Sequence, residues 1–285
     1  MKLSKGKNKM INGEKITLAT NCYEKNIDMV TSSGYAKKLF LTDNQCIDYR
    51  ILMVGNVKNK KYAEERCEGL KAQGIIDDYF FGYDYYKNIK RQFKGCGRFS
   101  FLRRRGVRII IPEILKQRKF KPFFDGIKYS ISPMAALLVC PSRWLLYITE
   151  DVEIHSEKLE EWVSKSIDIM KKNDKVITAG VLMGSKDSLD GKETICKDWM
   201  KKEIVSEDEE FLYLKGFSDQ CFLVDADRVK KTKEIFAEEN ESCINTYPIY
   251  ASNSFEQRFC AYMRNHDLVR ATYKNDCHVH LYKDH

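Results

Sequence analysis

Three acidic side chains stand where an apolar run of the sequence ends. The stretch Arg143–Ile154 begins with the length and the β-branched and aromatic content of a buried strand, and it then carries Glu150, Asp151 and Glu153. In open α/β sheets, ligands bind beyond the carboxyl ends of the strands. Mn²⁺ and Mg²⁺ take carboxylate oxygens and share their other positions between water and substrate phosphate. The pattern indicates a metal or catalytic site, with a solvated strand end beside a helix N-terminus as the alternative.

The three acids differ in the side to which they point. If the strand continues past the acids, Asp151 and Glu153 face one side of it and Glu150 faces the other. We therefore expect Asp151 and Glu153 to form one ligand pair.

A second pair of acids stands near a predicted helix. Asp219 lies in the turn 216–220, and Glu256 lies in the first turn of a helix that Ser254 caps. A carboxylate in the first turn of a helix that lines a cleft can accept a proton from an acceptor hydroxyl, if its pKa and reach suit. The alternative is an ordinary turn residue and an ordinary N-terminal helix acid.

Two histidines near the end of the sequence are two positions apart, so on a strand they would face the same side. His278 and His280 follow Cys277, but the sequence contains no CxxC or HExxH pattern to complete a zinc site. One histidine donated to a metal that Asp151 already holds is the more economical metal hypothesis, and ordinary surface histidines are the alternative. The sequence also lacks GxGxxG, GxxxxGKS and GxSxG, so dinucleotide oxidoreductases, P-loop ATPases and serine hydrolases lose their main support.

Strand and helix patterns alternate through the first half of the sequence. Ile16–Thr20 and Ile51–Val57 read as buried strands, Tyr62–Gln73 has helical spacing, and Ile75–Tyr86 contains a third short strand. This alternation predicts βαβ units and a parallel sheet. Right-handed crossovers would then place the strand-end turns on one rim of the sheet.

The second half reads as a mixture of strands and helices. The predicted helices are Tyr129–Val139 with Pro133 tolerated only in its first turn, Ser156–Lys172, one from Asp225 to about Phe236, and Phe255–Asn265; the predicted strands are Lys175–Val181, Phe211–Leu214, Cys221–Val224 and Leu268–Tyr273. We expect this mixed half to complete a cleft with the parallel half.

Composition and charge limit the class of protein. Hydrophobic residues make up 43% of the 285 residues, which is enough for a real core, and the ten cysteines are scattered without a signal peptide, as in a reduced cytosolic protein. No apolar run approaches the roughly 18 residues of a membrane span. The net charge is +8, and the tract Lys87–Arg108 carries nine lysines and arginines and no acid. Such a tract suits a nucleic acid, an anionic membrane surface or a phosphorylated substrate, or it is a solvated loop.

Several short segments, in this order, resemble the GT-A type of nucleotide-sugar glycosyltransferase, in particular the small bacterial and viral surface-polysaccharide enzymes related to family 2. The resemblance covers roughly residues 16 to 280. The first-strand turn of these enzymes is similar to Leu18–Glu24, and the second-strand turn is similar to Val54–Val57. The donor-site helix is similar to Lys128–Ile131, and the DxD strand is similar to Tyr147–Asp151. The acceptor segment is similar to Phe217–Gln220, and the acidic helix is similar to Phe255–Phe259.

The resemblance implies a fold and a domain division. It implies a GT-A fold, which is Rossmann-like, with a mostly parallel central sheet flanked by helices and a mixed C-terminal half. Residues 16–285 would form one catalytic domain after a flexible basic arm, 1–15, with a nucleotide-sugar half, 16–154, and an acceptor half, 155–285.

The resemblance also implies a reaction and its residues. A sugar would pass from a nucleotide-diphosphate donor to a hydroxyl of a glycan or lipid-linked glycan, with inversion. Mn²⁺ or Mg²⁺ would bind Asp151, aided by Glu153, His278 and His280, and the base would be Glu256 first and Asp219 second. Donor contacts would come from Thr20, Asn21, Tyr23, Asn56, Tyr129, Ser130, Glu150 and Asp151. The sequence departs from the family pattern at Thr149, which stands where DxD has its first aspartate, so only Asp151 matches.

Two other functions compete with this prediction. A metal-dependent nucleotidyltransferase would also use Asp151 and Glu153, but it would show a Gly-rich basic loop after the first strand, and Thr20–Asn26 is not one. A non-catalytic protein that binds nucleic acid or a membrane surface would rest on Lys87–Arg108 and would leave the acidic strand end unexplained. We expect a cytoplasmic enzyme without a nucleic-acid partner, in peripheral contact with anionic membrane through that tract.

Overall fold

The computed structural model describes residues 13–92, 126–154, 159–184, 202–232 and 254–280. Most of the predicted arm 1–15 and most of the tract Lys87–Arg108 lie outside these ranges, so both expectations stay predictions.

The described strands and helices alternate in the first half as expected. The strands are β1 (Ile16–Cys22), β2 (Tyr49–Val54), β3 (Asp78–Phe81), β4 (Trp144–Ile148), β5 (Val152–Ile154), β6 (Val176–Gly184), β7 (Ile204–Glu207), β8 (Phe211–Leu214), β9 (Cys221–Asp225) and β10 (Val269–His280). The helices are α1 (Ile27–Val30), α2 (Ser33–Leu39), α3 (Lys60–Ala72), α4 (Tyr86–Gln92), α5 (Gly126–Val139), α6 (Leu159–Lys172), α7 (Ala226–Lys231) and α8 (Phe255–Asn265), and a 3₁₀ turn, Gly82–Tyr85, precedes α4.

All of these strands belong to one sheet in the order β3-β2-β1-β4-β9-β6-β10-β8-β7, and β5 pairs with β10. The pairs β3–β2, β2–β1 and β1–β4 are parallel, whereas β9 runs antiparallel between β4 and β6. On the other side of β6, β10 is parallel to β6 and antiparallel to β8. The predicted α/β fold, with a parallel first half and a mixed second half, is confirmed.

The central strand β4 is buried on both faces of the sheet. Trp144, Leu146 and Ile148 join one core with side chains of α1, α2, α3 and α6, and Leu145 and Tyr147 join a second core with side chains of α5, α7 and α8. Strands covered by helices on both faces read as continuous apolar runs, which is why this segment shows no alternation in the sequence.

Polar caps set the start of three helices. The Asn59 side chain accepts from the Tyr62 amide at 3.0 Å, Asp225 accepts from the Arg228 amide at 2.9 Å, and Ser254 accepts from the Gln257 amide at 3.3 Å. Such caps satisfy amides that have no partner inside the helix. The predicted caps of α7 and α8 are confirmed.

Three elements differ from the prediction. Helix α5 begins at Gly126, so Pro133 lies in its interior rather than in its first turn. The helix lies between the sheet and α8, and its burial outweighs the cost of about 3 kcal/mol that an interior proline imposes. Strand β7 forms in a polar segment because an edge strand can be almost fully exposed. Strand β10 continues past Tyr273 to His280.

Six cysteines whose side chains are described are buried and unbridged, namely Cys22, Cys46, Cys67, Cys140, Cys221 and Cys260. Burial raises the pKa of Cys46 and Cys67 to about 12, so these thiols stay protonated. They behave as the small apolar residues that the sequence predicts. Among the described helices, none combines the length and the apolar character needed to cross a membrane.

Candidate functional site

The ends of β1, β2 and β4 meet the start of β9 at one edge of the sheet. β1 lies between β2 and β4 in parallel register, so the turns that follow these strands share an edge. The Thr149 amide donates to the Gln220 carbonyl at 2.8 Å, which brings the segment before β9 to the end of β4. The predicted site residues after β1, Asp151 after β4 and Asp219 before β9 are thereby placed on one rim.

Glu150 is the buried acid of this rim, with only 5% of its surface exposed. Its carboxylate accepts hydrogen bonds from the side-chain amides of Asn21 and Asn26, the latter at 2.9 Å. The Tyr147 hydroxyl donates to the Asn21 side-chain oxygen at 2.9 Å, so the network reaches back into β4. Burial raises the pKa of Glu150, while hydrogen bonds from Tyr23 and Asn21 oppose that rise. This carboxylate ties the turn after β1 to the turn after β4.

The turn after β1 is held by further hydrogen bonds. The Tyr23 amide donates to the Asn26 side-chain oxygen at 2.7 Å, and the Tyr35 hydroxyl of α2 donates to the Glu150 carbonyl. The Tyr23 ring remains 40% exposed at the rim. An exposed aromatic ring on a fixed backbone is suited to contact a ligand, because it has few rotamers to lose.

Asp151 and Asp219 form the charged pair of the rim. Burial raises the pKa of Asp219 to about 6, a hydrogen bond from its own backbone opposes the rise, and the negative charge of Asp151 adds to it. A carboxylate beside a second negative charge attracts either a proton or a cation. The surroundings of Asp219 therefore differ from those of Glu150, whose carboxylate accepts hydrogen bonds from two side-chain amides.

The donor set of this rim fits Mn²⁺ or Mg²⁺. Both ions prefer carboxylate oxygens, and a site with few protein ligands is completed by water and substrate phosphate. The repulsion that Asp151 exerts on Asp219 is the kind of charge excess that a divalent cation relieves. Within the described residues, no three His, Cys, Asp or Glu side chains surround a common point, so a closed cage made of these side chains alone is not present there.

Glu153 lies in a separate strand from the one that carries the site. β4 ends at Ile148, the Val152 amide donates to the Thr149 carbonyl at 3.1 Å to close a turn, and β5 then begins at Val152. We expected one strand to continue through Asp151, but β4 ends before it. The alternation of side chains that paired Asp151 with Glu153 on one face therefore does not apply. Glu153 is exposed and lines a pocket beside α2. Its role as a metal ligand stays a prediction.

The backbone of the C-terminal strand reaches the same region. In the antiparallel pairing of β10 with β5, His278 is opposite Ile154, Val279 is opposite Glu153, and His280 is opposite Val152. The two histidines thus belong to the strand next to the one that follows Asp151. Their predicted role as metal ligands rests on this placement of the backbone.

Helix α8 presents Glu256 from its capped end. The Phe255 amide donates to the Ser130 hydroxyl of α5 at 2.5 Å, and Ser130 is fully buried. Phe217, from the segment before Asp219, packs on Phe255 and Phe259 with ring centroids 5.3 and 4.4 Å apart. Glu256 is half-buried in the first turn of this anchored helix. The predicted acceptor segment and the predicted acidic helix are therefore in contact.

Three residues that were predicted to contact the donor differ in their burial and in how far the structure describes them. Thr20 is fully buried, and its hydroxyl has no hydrogen-bond partner among the described residues. Asn56 is exposed and adopts a left-handed φ of 34°. It follows Gly55, whose amide donates to the Cys22 carbonyl at 2.7 Å. The side chain of Tyr129 lies outside the described part of the chain.

Three residues of the network were missed by the sequence prediction. The sequence could have indicated two of them. Asn26 ends the polar turn after β1, and Tyr147 places a hydroxyl near the end of a buried strand, where it needs a hydrogen-bond partner. The sequence could not have indicated Tyr35, because its contact joins α2 to a turn more than a hundred residues away.

No protein-family model matches this sequence, and no curated protein matches it either. Solved structures that are similar to the chain include GalNAc-T7 with UDP, GalNAc and Mn²⁺, at 8% identity over 95% of this chain and 44% of that chain with a TM-score of 0.46. They also include S. aureus TarS, at 10% identity over 94% of this chain and 37% of that chain with a TM-score of 0.46. A third is the galactosyltransferase LgtC with donor and acceptor sugar analogues, at 10% identity over 90% and 72% with a TM-score of 0.42. This chain spans less than half the length of the first two.

Proposed function

We propose that the chain is a glycosyltransferase that moves a sugar from a nucleotide-diphosphate donor to a hydroxyl of a glycan or lipid-linked glycan. The observation that carries this proposal is that the segments holding Asp151 and Asp219 meet at the rim where β1 and β4 end, joined by the hydrogen bond from the Thr149 amide to the Gln220 carbonyl. The segments that resemble donor-binding and acceptor-binding parts of GT-A enzymes meet at that rim. The likeness to solved structures is low, so the function is inferred from the residues of this chain.

The donor would bind across the turns after β1 and β4. Asn21, near the end of β1, is held by Tyr147 and Glu150, so its position does not depend on a ligand. Tyr23 stands exposed beside it and offers a ring face to a nucleoside base or ribose. A turn fixed in this way loses little conformational entropy on binding, which favours affinity.

A divalent cation, Mn²⁺ or Mg²⁺, would be held by Asp151 together with phosphate oxygens of the donor. When bound, such an ion offsets negative charge that develops on a diphosphate leaving group. Asp151 would thereby position the diphosphate against the end of β4. Glu153, His278 and His280 are proposed as additional ligands from the adjacent strands β5 and β10.

A carboxylate from the acceptor side would remove the proton from the attacking hydroxyl. Glu256 of α8 is the first candidate, because its helix is anchored to α5 and to the segment before Asp219. Asp219 is the second, because a pKa of about 6 lets it be ionised at neutral pH and still take up a proton. Attack by the deprotonated hydroxyl opposite the departing diphosphate gives inversion at the anomeric carbon. We place the reaction in polysaccharide synthesis in the cytoplasm.

A panel of nucleotide-sugars tests this function. UDP-, GDP- and TDP-sugars would each be scored for thermal stabilisation of the protein and for slow hydrolysis, with Mn²⁺ and with EDTA. We expect at least one donor to stabilise the protein with Mn²⁺ and to be hydrolysed under the same condition. If no nucleotide-sugar binds in either condition, the proposal is wrong.

A further inference from the structure

A pocket of about 380 Å³ lies beside the acidic turn, against α2 and the loop that follows it. Its walls are formed by residues 35–44 on one side and by the end of β4 and by β5 on the other. This volume is within the range of sites for small molecules. Among the described side chains, none of those assigned above to the donor lines it, and Glu153 is a proposed metal ligand that does.

The loop of this pocket is held in a strained conformation. Leu41 has a φ of 48°, which a leucine rarely adopts. Arg50 of β2 keeps the loop in place, because its guanidinium donates to the carbonyls of Phe40 at 2.9 Å, Asn44 at 3.0 Å and Leu41 at 3.3 Å. Strained backbone that the surrounding structure over-determines is concentrated at ligand sites. The pocket wall is therefore built before any ligand arrives.

The lining of the pocket suits a neutral ligand with hydroxyl groups. Among the described residues, the lining contains two cations, Lys37 and Lys38, and two anions, Asp43 and Glu153, so these charges balance and do not select an anion. Its floor has apolar atoms from Leu41 and neighbouring aliphatic side chains of β4 and β5. An apolar floor with donors and acceptors around it matches a sugar ring, which has C–H faces and a belt of hydroxyls.

Three residues of the pocket lining adjoin or support the acidic turn. Val152 and Glu153 directly follow Asp151 in the chain, and Tyr35 both lines the pocket and donates its hydroxyl to the Glu150 carbonyl. A sugar held there lies beside the turn that we assign to the donor diphosphate. It is thus close to the transfer site without occupying it.

We propose that this pocket is a second carbohydrate site, which holds a neutral sugar unit of the glycan away from the reacting hydroxyl. The proposal deepens the proposed function and rests on it for the identity of the ligand. The binding itself needs neither a nucleotide-sugar nor a metal.

Saturation-transfer NMR tests the proposal, with maltotriose, cellotriose and diacetylchitobiose as probes in the presence of EDTA and without a nucleotide. We expect at least one probe to receive saturation from the full chain. Thr42→Trp would fill the pocket, and Lys38→Ala/Asp43→Ala would remove one cation and one anion without a change in net charge. We expect each variant to weaken binding about tenfold or more, which corresponds to a few lost contacts.

Two controls separate this proposal from the proposed function. Glu65→Ala, on the exposed face of α3, and Asp151→Ala, at the donor rim, should both bind the sugar as the unchanged protein does. Melting curves show whether Thr42→Trp is folded, and the double variant, whose two side chains are exposed, covers the case in which it is not. The proposal is overturned if no probe binds or if both pocket variants bind normally. Loss of donor binding in the nucleotide-sugar panel, with sugar binding intact, would overturn only the proposed function.

Discussion

Glu150 and Asp151 are adjacent in the chain, yet their carboxylates meet different surroundings. Glu150 is buried and accepts hydrogen bonds from Asn21 and Asn26. Asp151 adds negative charge near Asp219, whose pKa is raised to about 6 by burial first and by that charge in addition. Glu150 holds the turn through its amide donors, and we propose that Asp151 contributes its charge to a ligand. The difference teaches that an acidic cluster at a strand end divides into a supporting part and a binding part, and substitutions can separate the two.

Asp151→Ala should have the largest effect on the reaction. We expect transfer to fall by at least about a hundredfold, since a preorganised charge that acts on the leaving group is lost. The melting temperature should be equal to or above that of the unchanged protein, because Asp219 loses a repulsive neighbour. Turnover with the donor found in the panel, and circular dichroism, measure the two effects.

Asp227→Ala, an exposed acid in the first turn of α7, is the matched control and should keep full turnover. Undiminished turnover of Asp151→Ala would remove the metal assignment.

Glu150→Ala should have the opposite profile, a loss of stability with a smaller loss of activity. The amide groups of Asn21 and Asn26 would lose their acceptor, and such losses cost about 1 to 3 kcal/mol. We expect a melting temperature several degrees lower and a donor KM raised about tenfold, with kcat changed less. Thermal melting and steady-state kinetics would measure these values.

Glu65→Ala, an exposed glutamate on α3, serves as the control and should melt within a degree or so of the unchanged protein. If Glu150→Ala loses kcat as severely as Asp151→Ala while its melting temperature is unchanged, the two acids do not have the separate roles described.

Asp219→Asn should raise stability at neutral pH. The folded pKa of about 6 lies above the ordinary value of 3.8, so ionisation of Asp219 costs the folded state free energy. That cost is absent below about pH 4, grows between pH 4 and 6, and is complete above pH 6. We expect the variant to be more stable by about 1 to 3 kcal/mol at pH 7.5, with no difference at pH 4.

Urea denaturation in EDTA at the two pH values measures this effect without a bound cation. The raised pKa of Asp219 would be contradicted if the variant is less stable than the unchanged protein at pH 7.5, or if the difference in stability is the same at both pH values.

Ser130→Ala should have the smallest effect. The variant removes the hydroxyl that accepts from the Phe255 amide and joins α5 to α8, at a cost of about 1 kcal/mol. Ser32→Ala is a matched control, because Ser32 is exposed and its side chain does not cap α2. Urea denaturation at pH 7 should show a loss for the first variant and almost none for the second. Equal losses would mean that the contact between α5 and α8 does not support the base helix.

The fold, and the edge of the sheet at which the candidate segments meet, could be predicted from the sequence because both depend on local patterns. The apolar runs of β1, β2 and β4, and the caps Asp225 and Ser254, depend on residues close in sequence. The break between β4 and β5 could not be predicted, because it depends on the pairing of β5 with a strand more than a hundred residues later. The supporting role of Glu150 depends in the same way on Asn21 and Asn26 from another strand end. The sequence shows that an acidic residue stands at a strand end, but it does not show which residues from other strands will form hydrogen bonds with it.

Calorimetric titration of UDP, GDP and TDP into the protein, with Mn²⁺ and with EDTA, tests the central claim most directly. The claim is that Asp151 at the end of β4 binds the diphosphate of a donor with a divalent ion. It predicts that one nucleoside diphosphate binds with Mn²⁺, that EDTA weakens this binding about tenfold or more, and that Asp151→Asn weakens it to the same extent. Binding that is equal with Mn²⁺ and EDTA and unchanged in Asp151→Asn, or no binding of any of the three, would contradict it.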